Sequence, residues 1–252
     1  MSDFYTSKRT YDVYDPSSRF PFKLSRSRIE NFISCPRCFY LDRRFGIDKP
    51  PPYPYTLSSA VDKLLKKEFD LHRANGTPHP LMEHYKINAL PMPHRLIDEW
   101  RNPKLGIRYL HKPTNLLVFG GVDDVWKSSK NQLIVVDYKS TAKSQEVNID
   151  APWQISYKRQ VEIYQWLFRQ NEFDVSDTAY FVYANGLTDK KAFDGKLEFD
   201  IKVFPYKGST EWMEGTLKKI KECLDGDEIP QGSQDCDYCA YRSAVKPIEQ
   251  SG

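Results

Sequence analysis

Two C-x-x-C pairs, Cys35 with Cys38 in "SCPRCFY" and Cys236 with Cys239 in "DCDYCAY", stand near opposite ends of a chain of 252 residues. Four thiolates so spaced make a tetrahedral sulfur set for a metal ion, and the set closes only if the fold brings the two ends of the chain together. That requirement limits the topology before any helix or strand is assigned. Disulfides are the other use of paired cysteines. However, the opening "MSDFYTSKRTYDVYDPSS" lacks the apolar core of a signal peptide, and cytosolic thiols are held reduced. No apolar run approaches the roughly 18 residues of a membrane span, so a soluble, cytoplasmic protein without a membrane partner is expected. The fifth cysteine, Cys223, stands alone in an amphipathic stretch and reads as a buried thiol. Lysine plus arginine exceeds aspartate plus glutamate by 37 − 34 = 3, so any nucleic-acid footprint must be local.

A chain of this length can bury one sizeable core. Residues 1–24, rich in Ser, Asp, Tyr and Arg without periodicity, read as a mobile arm; residues 25–245 read as a single domain and 246–252 as a tail. Ser25 or Ser27 can cap a helix with Ile29, Phe32 and Ile33 on one face, which Pro36 disturbs. "KPPPYPYT" reads as a stiff linker. The helix after it has Ala60, Val61, Leu64, Leu65 and Phe69 as its apolar set. Between Asn75 and Pro113 loops are expected, with a short helix near Arg95–Trp100. "NLLVFGGVDDVWKS", "QLIVVDYKST", "TAYFVYAN" and "LEFDIKVFPY" read as strands. An amphipathic helix, "WQISYKRQVEIYQWLFRQN", lies between the second and third of them. A last helix, "STEWMEGTLKKIKECL", precedes the C-terminal cysteines. This order predicts an α/β fold with a central mixed sheet flanked by helices.

The strand "LIVVDYKST" ends in charge. Side chains alternate along a strand, so Asp137 and Lys139 share one face while Val136 and Tyr138 share the other. In "FGGVDDVW", Gly120 and Gly121 permit close backbone approach, and Asp123 and Asp124 point to opposite faces. Two carboxylates on neighbouring strands offer hard oxygens suited to Mg²⁺ or Mn²⁺. Asp62, on the helix face of Leu65 and Phe69, is costly there unless paired or bound to metal. Taken singly, each of these acids reads as an ion-pair partner, a turn cap or a solvated residue; their order along the chain is what links them. Trp153, Trp166 and Trp212 could stack on unpaired bases, though core packing is the commoner use of such residues. None of the five histidines belongs to a motif.

In that order the motifs resemble the RecB-like branch of the PD-(D/E)XK nuclease superfamily, the branch of AddB-type and CRISPR-associated exonucleases. "LSSAVDKLL" matches the helix motif, with Asp62 where a metal-binding histidine is usual. "GGVD" matches the G-x-x-D strand and selects Asp123 over Asp124. "VDYKS" matches the D-Y-K strand, and "RQVEIY" matches the Q-x-x-x-Y helix with Gln160 and Tyr164. The resemblance spans roughly Cys35 to Tyr241 and implies a restriction-endonuclease-like core. It implies a Mg²⁺- or Mn²⁺-dependent nuclease hydrolysing DNA phosphodiester bonds, an exonuclease on single-stranded or end-bearing DNA in repair, recombination or defence. Asp62, Asp123, Asp137 and the Val136 carbonyl would hold the metal. Lys139 would orient water or stabilise the transition-state charge, and Gln160 and Tyr164 would position the strand. A helicase or repair complex is a candidate partner. Iron-sulfur members of the branch use one N-terminal cysteine and three C-terminal ones, the last of which falls here on Val245. Cys38 then completes the set of Cys35, Cys38, Cys236 and Cys239, implying a 4Fe-4S cluster, while the spacing alone suggests Zn²⁺. The alternative to an enzyme is a non-catalytic nucleic-acid-binding or scaffold module with a structural metal-sulfur site.

Overall fold

The computed structural model describes residues 8–51 and 56–250; the first residues of the expected arm, 1–7, and part of the proline-rich linker, 52–55, lie outside the described residues. In chain order the elements begin with β1 (Phe22–Ser25), α1 (Arg26–Ser34), α2 (Pro36–Phe45), α3 (Thr56–Asn75) and α4 (Pro80–His84). Then come β2 (Ala89–Pro91), α5 (Ile97–Arg101), β3 (Ile107–His111), β4 (Leu116–Gly120), β5 (Asp124–Ser128) and β6 (Leu133–Thr141). A 3₁₀ turn (Pro152–Gln154), α6 (Ile155–Gln170), β7 (Thr178–Gly186), β8 (Phe199–Lys207), α7 (Trp212–Asp225) and α8 (Asp237–Gln250) complete the chain. These elements gather into two compact units. The first comprises Met1–Tyr53, Leu110–Val118 and Glu211–Gly252, the second Pro54–Tyr109 and Phe119–Thr210. The expected single strand "NLLVFGGVDDVWKS" is two strands, β4 and β5, because the chain leaves the ladder at Gly121–Asp123.

In the first unit, α1 and α2 meet at Cys35, an extended residue that ends one helix and precedes the next. Pro36 at the first position of α2 explains the break, since it has no N–H to continue α1 and its fixed φ suits a helix start. Ser25 takes the N-cap position of α1, but its hydroxyl meets that of Ser27 at 3.0 Å instead of a helix amide. Of the expected apolar face only Ile29 is fully buried. Residues 8–24, expected to be mobile, are fastened instead: the Arg9 amide donates to the Gly46 carbonyl at 3.0 Å, and the Tyr14 hydroxyl donates to Asp225 at 2.6 Å. Arg9, Arg28 and Arg43 converge on the buried Asp42. These ties are polar and aperiodic, so hydrophobic patterning does not reveal them. The tail expected from residue 246 continues α8 as far as Gln250, with Pro247 inside the helix.

The second unit is built on a five-stranded mixed sheet in the order β2-β5-β6-β7-β8, with β6 and β7 parallel and the other pairs antiparallel. Val136 and Tyr138 face the core with Leu65 and Phe69 of α3, Trp126 and Val182. Helix α6 packs on β6 from the other face, burying Val161, Ile163, Leu167 and Phe168. Helix α3 is rotated from the expected orientation, for Leu64 is 63% exposed and Ala60 is exposed as well, which leaves Leu65, Phe69 and part of Val61 to pack. That rotation brings Asp62 and Lys66 toward the end of β5.

Candidate active site and cysteine centre

The chain reaches the site through Gly121, where a Cβ would lie 3.1–3.2 Å from the backbone of Arg101, Asn102 and Pro103. Only glycine fits so close an approach without a shift. β5 then starts at Asp124, paired with Val136 of β6, and Asp123, just before the strand, turns its carboxylate to the amide of Tyr138, the β6 residue between Asp137 and Lys139. Tyr138 distinguishes the two adjacent acids. Its amide donates to Asp123 Oδ2 at 3.0 Å, and its hydroxyl donates to Asp124 Oδ2 at 2.7 Å. Asp124 is fully buried and saturated, with Arg73 at 2.5 Å, Arg101 at 2.9 Å and the Val125 amide at 2.8 Å. Burial and the Asp124 charge push the Tyr138 hydroxyl far above its usual range, so it stays a donor. Asp124 thus belongs to a structural network, which leaves Asp123 as the acid open to other chemistry.

Lys66 stands between Asp62 and Asp123, its Nζ 2.8 Å from Asp62 Oδ1 and 3.1 Å from Asp123 Oδ1. This lysine is absent from the sequence reading, although its spacing of four from Asp62 on one helix was visible. Burial alone would raise the Asp123 carboxyl, but the charges of Lys66 and Lys139 and the Tyr138 amide outweigh it and hold the group below the usual range. Asp137 is fully buried and forms an ion pair with Lys139. The Lys139 ammonium also lies 3.4 Å from Gln160 Oε1 and 4.5 Å from the Tyr157 ring centroid. Gln160 Nε2 donates to the Tyr164 oxygen at 3.4 Å, and the Tyr164 hydroxyl donates to the Gly121 carbonyl at 2.6 Å. The Q-x-x-x-Y pair on α6 therefore links the lysine of β6 to the turn that delivers Asp123.

Val136, whose carbonyl the sequence resemblance assigns to the metal, is paired with Asp124 of β5. The amides of alternate residues on a strand point the same way, so with the Tyr138 amide turned to Asp123, the Val136 N–H and C=O are turned to β5 opposite Asp124. The Val136 carbonyl is thereby engaged in the ladder. The Tyr138 carbonyl points to the same side but lies past the first residue of β5. Among the described residues, Asp62, Asp123 and Asp137 also do not gather as a ligand set, since the only group of three or more such donors within 4.8 Å is the four cysteines. Cation charge from Lys66 and Lys139 now occupies the ground between the acids.

A sequence model of the PD-(D/E)XK nuclease superfamily matches residues 56–244, about three quarters of the chain. The chain belongs to the PD-(D/E)XK nuclease superfamily. Seven solved chains match it as well. One of them, described as "Crystal structure of SSO0001", is 13% identical with a TM-score of 0.40 over 88% of this chain and 84% of the other. No curated protein matches. Membership makes this chain a nuclease of a superfamily whose members use divalent metals. Carboxylate oxygens, the type that Asp123 and Asp137 carry, are the hard donors that suit such an ion.

The cysteines of this PD-(D/E)XK chain form a second centre, and the N-terminal pair precedes the matched stretch. Both pairs are built alike. Cys35 and Cys236 each sit just before a helix, α2 and α8, and Cys38 and Cys239 lie in the first turn of that helix. Amide dipoles at helix N-termini favour thiolates over thiols. The Sγ atoms stand 3.7 Å apart for Cys35–Cys239, 3.6 Å for Cys38–Cys236 and 3.7 Å for Cys38–Cys239, and all four lie within 4.8 Å of one another. Burial would raise the Cys35 thiol, but backbone hydrogen bonds from Ser233 and Cys38 bring it down to about 6. A Cβ on Gly232 would stand 2.7 Å from Cys239 Sγ, so Gly232→Ala should lower metal retention. The measurement is the metal-to-protein ratio after gel filtration, and a ratio equal to the parent's would contradict the packing argument. Cys223 stands apart from this group, its thiol pushed up by burial to about 11. Among the described residues no helix is long and apolar enough to cross a membrane.

Proposed function

We propose that this protein is a divalent-metal-dependent DNA nuclease of the RecB-like branch, acting on single-stranded or end-bearing DNA. Asp123 and Asp137 are the acidic ligands and Lys139 is the catalytic cation. The observation that carries the reading is the juxtaposition at the end of β6: Asp123 held on the Tyr138 amide, with Lys139 one residue further on paired to Asp137 one residue before. Asp123 and Asp137 would hold a Mg²⁺ or Mn²⁺ ion, which would supply Lewis-acid polarisation of the scissile phosphate and a water of lowered pKa. The Tyr138 carbonyl, on the same side of the strand as the amide that meets Asp123, would add a backbone oxygen to the ligand set. Lys139 sets its positive charge against the charge that builds on the phosphate oxygens. Gln160 holds the Lys139 ammonium in place through its Oε1, and Tyr164 braces the Gly121 carbonyl. Both are positioning residues. The test is incubation of the purified protein with end-labelled single- and double-stranded DNA, with and without Mn²⁺. Metal-dependent shortening from an end supports the reading, and intact DNA with retained binding supports a non-catalytic binding module.

Lys66 and Asp62 give this reading an expected result of its own. Lys66 competes with a divalent ion for the oxygens of Asp62 and Asp123, because its ammonium already lies within 3.1 Å of both. Lys66→Met should therefore lower the Mn²⁺ concentration needed for half-maximal cleavage several-fold. Asp62→Ala should raise it and be rescued by excess Mn²⁺. Unchanged Mn²⁺ titrations in both variants would return the pair to a purely structural helix contact.

For the cysteine centre we propose one tetrahedral ion, Zn²⁺. Four sulfurs about 2.3 Å from a central zinc form a tetrahedron with edges of about 3.8 Å, close to the 3.6–3.7 Å separations of the three measured sulfur pairs. A 4Fe-4S cluster binds each thiolate to a different iron corner, which demands sulfurs spread around a cube. The arrangement of Cys35, Cys38, Cys236 and Cys239 favours the single ion.

A further inference from the structure

Of the three tryptophans with a sequence case for base stacking, Trp166 is buried at 3% exposure, whereas Trp153 is 51% exposed. Trp153 is presented by a pinned turn. The buried Gln154 accepts the Ala151 amide at 2.8 Å and donates to the Asn148 carbonyl at 2.7 Å, which locks the 3₁₀ turn on both sides of the indole. A turn held this firmly with its largest apolar side chain left in water resembles a preorganised binding element, since preorganisation removes the ordering cost of binding.

The surroundings of Trp153 are cationic and lead to the active site. Lys143 Nζ lies 5.1 Å from the Trp153 ring, and the Lys143 backbone is fixed by Asn185, whose side chain accepts its amide at 2.8 Å and donates to its carbonyl at 3.0 Å. On the other side the Trp153 and Tyr157 ring centroids are 5.4 Å apart, edge to face, and Tyr157 lies under the Lys139 ammonium. Lys139, Tyr157, Trp153 and Lys143 thus form a continuous series of cation, ring, ring and cation. It starts at the catalytic lysine and runs along the 3₁₀ turn and the first turn of α6. Two aromatic rings flanked by cations match a nucleic-acid strand, whose phosphates need positive charge and whose unpaired bases need a flat partner. A duplex hides the faces of its bases and would gain only the charge.

We infer that Trp153, with Lys143 beside it, forms a stacking subsite for an unpaired base of the strand being cut, next to the scissile phosphate. This rests on the nuclease reading for its position but not for its binding chemistry. The test compares the full-length protein with Trp153→Ala and Trp153→Phe. The probes are a fluorescein-labelled oligothymidylate and a blunt duplex, bound without added divalent cation so that cleavage does not intervene. Trp153→Ala should weaken oligothymidylate binding on the order of tenfold, as expected for loss of one stacked base. Trp153→Phe should restore most of the affinity, and duplex affinity and melting temperature should stay at parent values. The oligonucleotide should also quench the parent's tryptophan fluorescence, with the quenching largely lost in Trp153→Phe. Parental oligothymidylate affinity in Trp153→Ala, or equal losses for oligonucleotide and duplex, would overturn the subsite. If the selective loss and the quenching are found in a protein that cleaves neither probe with Mn²⁺, the subsite stands and the nuclease reading fails.

Discussion

Asp137→Asn and Lys139→Ala should each lower Mn²⁺-dependent DNA cleavage by roughly 10²–10³-fold or more, the size expected when a metal ligand or a transition-state cation is removed. The reason lies in the end of β6, where a fully buried carboxylate and a lysine two residues on form one ion pair beside Asp123. The two variants should differ in stability. Asparagine nearly keeps the shape of Asp137 and removes a buried charge, while Lys139 is 14% exposed at its side chain and can turn to water. Lys139→Ala instead removes a cation from beside a buried carboxylate, the more destabilising kind of change. Lys139→Ala should therefore melt lower than Asp137→Asn, and Mn²⁺ should raise its melting temperature by returning positive charge to the site. Near-parental cleavage by either variant would remove Asp137 and Lys139 from the chemistry.

Loss of any one of Cys35, Cys38, Cys236 or Cys239 should be the most damaging single change to the first unit. Structural metal binding is coupled to folding, with apparent binding free energies of about 10–16 kcal/mol for zinc in small domains. A serine at one corner weakens the set that joins residues 35–38 to residues 236–239. Each Cys→Ser variant should lower both bound metal and melting temperature, whereas Cys223→Ser should change neither. Metal analysis after anaerobic purification distinguishes the occupants. A colourless protein with one zinc matches the close sulfur packing, and a brown protein with iron and sulfide would overturn the single-ion proposal. Full metal content in Cys38→Ser would show that the fourth ligand is another group.

Local patterning made much of this protein legible. Alternation along "LIVVDYKST" placed Asp137 and Lys139 on one face, and the helical spacing of Gln160 and Tyr164 placed both on one face of their helix, because strand and helix periods are fixed by backbone geometry. Cysteine spacing fixed that the ends of the chain must meet. Lys66 was within reach of the same reasoning, being four residues from Asp62 on one helix.

Other features depend on residues far apart in the chain. Arg73 and Arg101 reach Asp124 from 51 and 23 residues away and make it structural, and no spacing rule links those positions. The rotation of α3 that exposes Leu64 follows from what the sheet offers it to pack against. The engagement of the Val136 carbonyl follows from strand pairing. The same holds for Trp153, since an indole in a sequence reads equally as core or surface until the turn that carries it is placed. The sequence by itself determined which side chains share a face and which ends of the chain must join, because those follow from local periodicity and ligand count. Only the tertiary structure decided what saturates Asp124, which cation stands between the carboxylates and which tryptophan meets water, because burial and long-range pairing are properties of the packed chain.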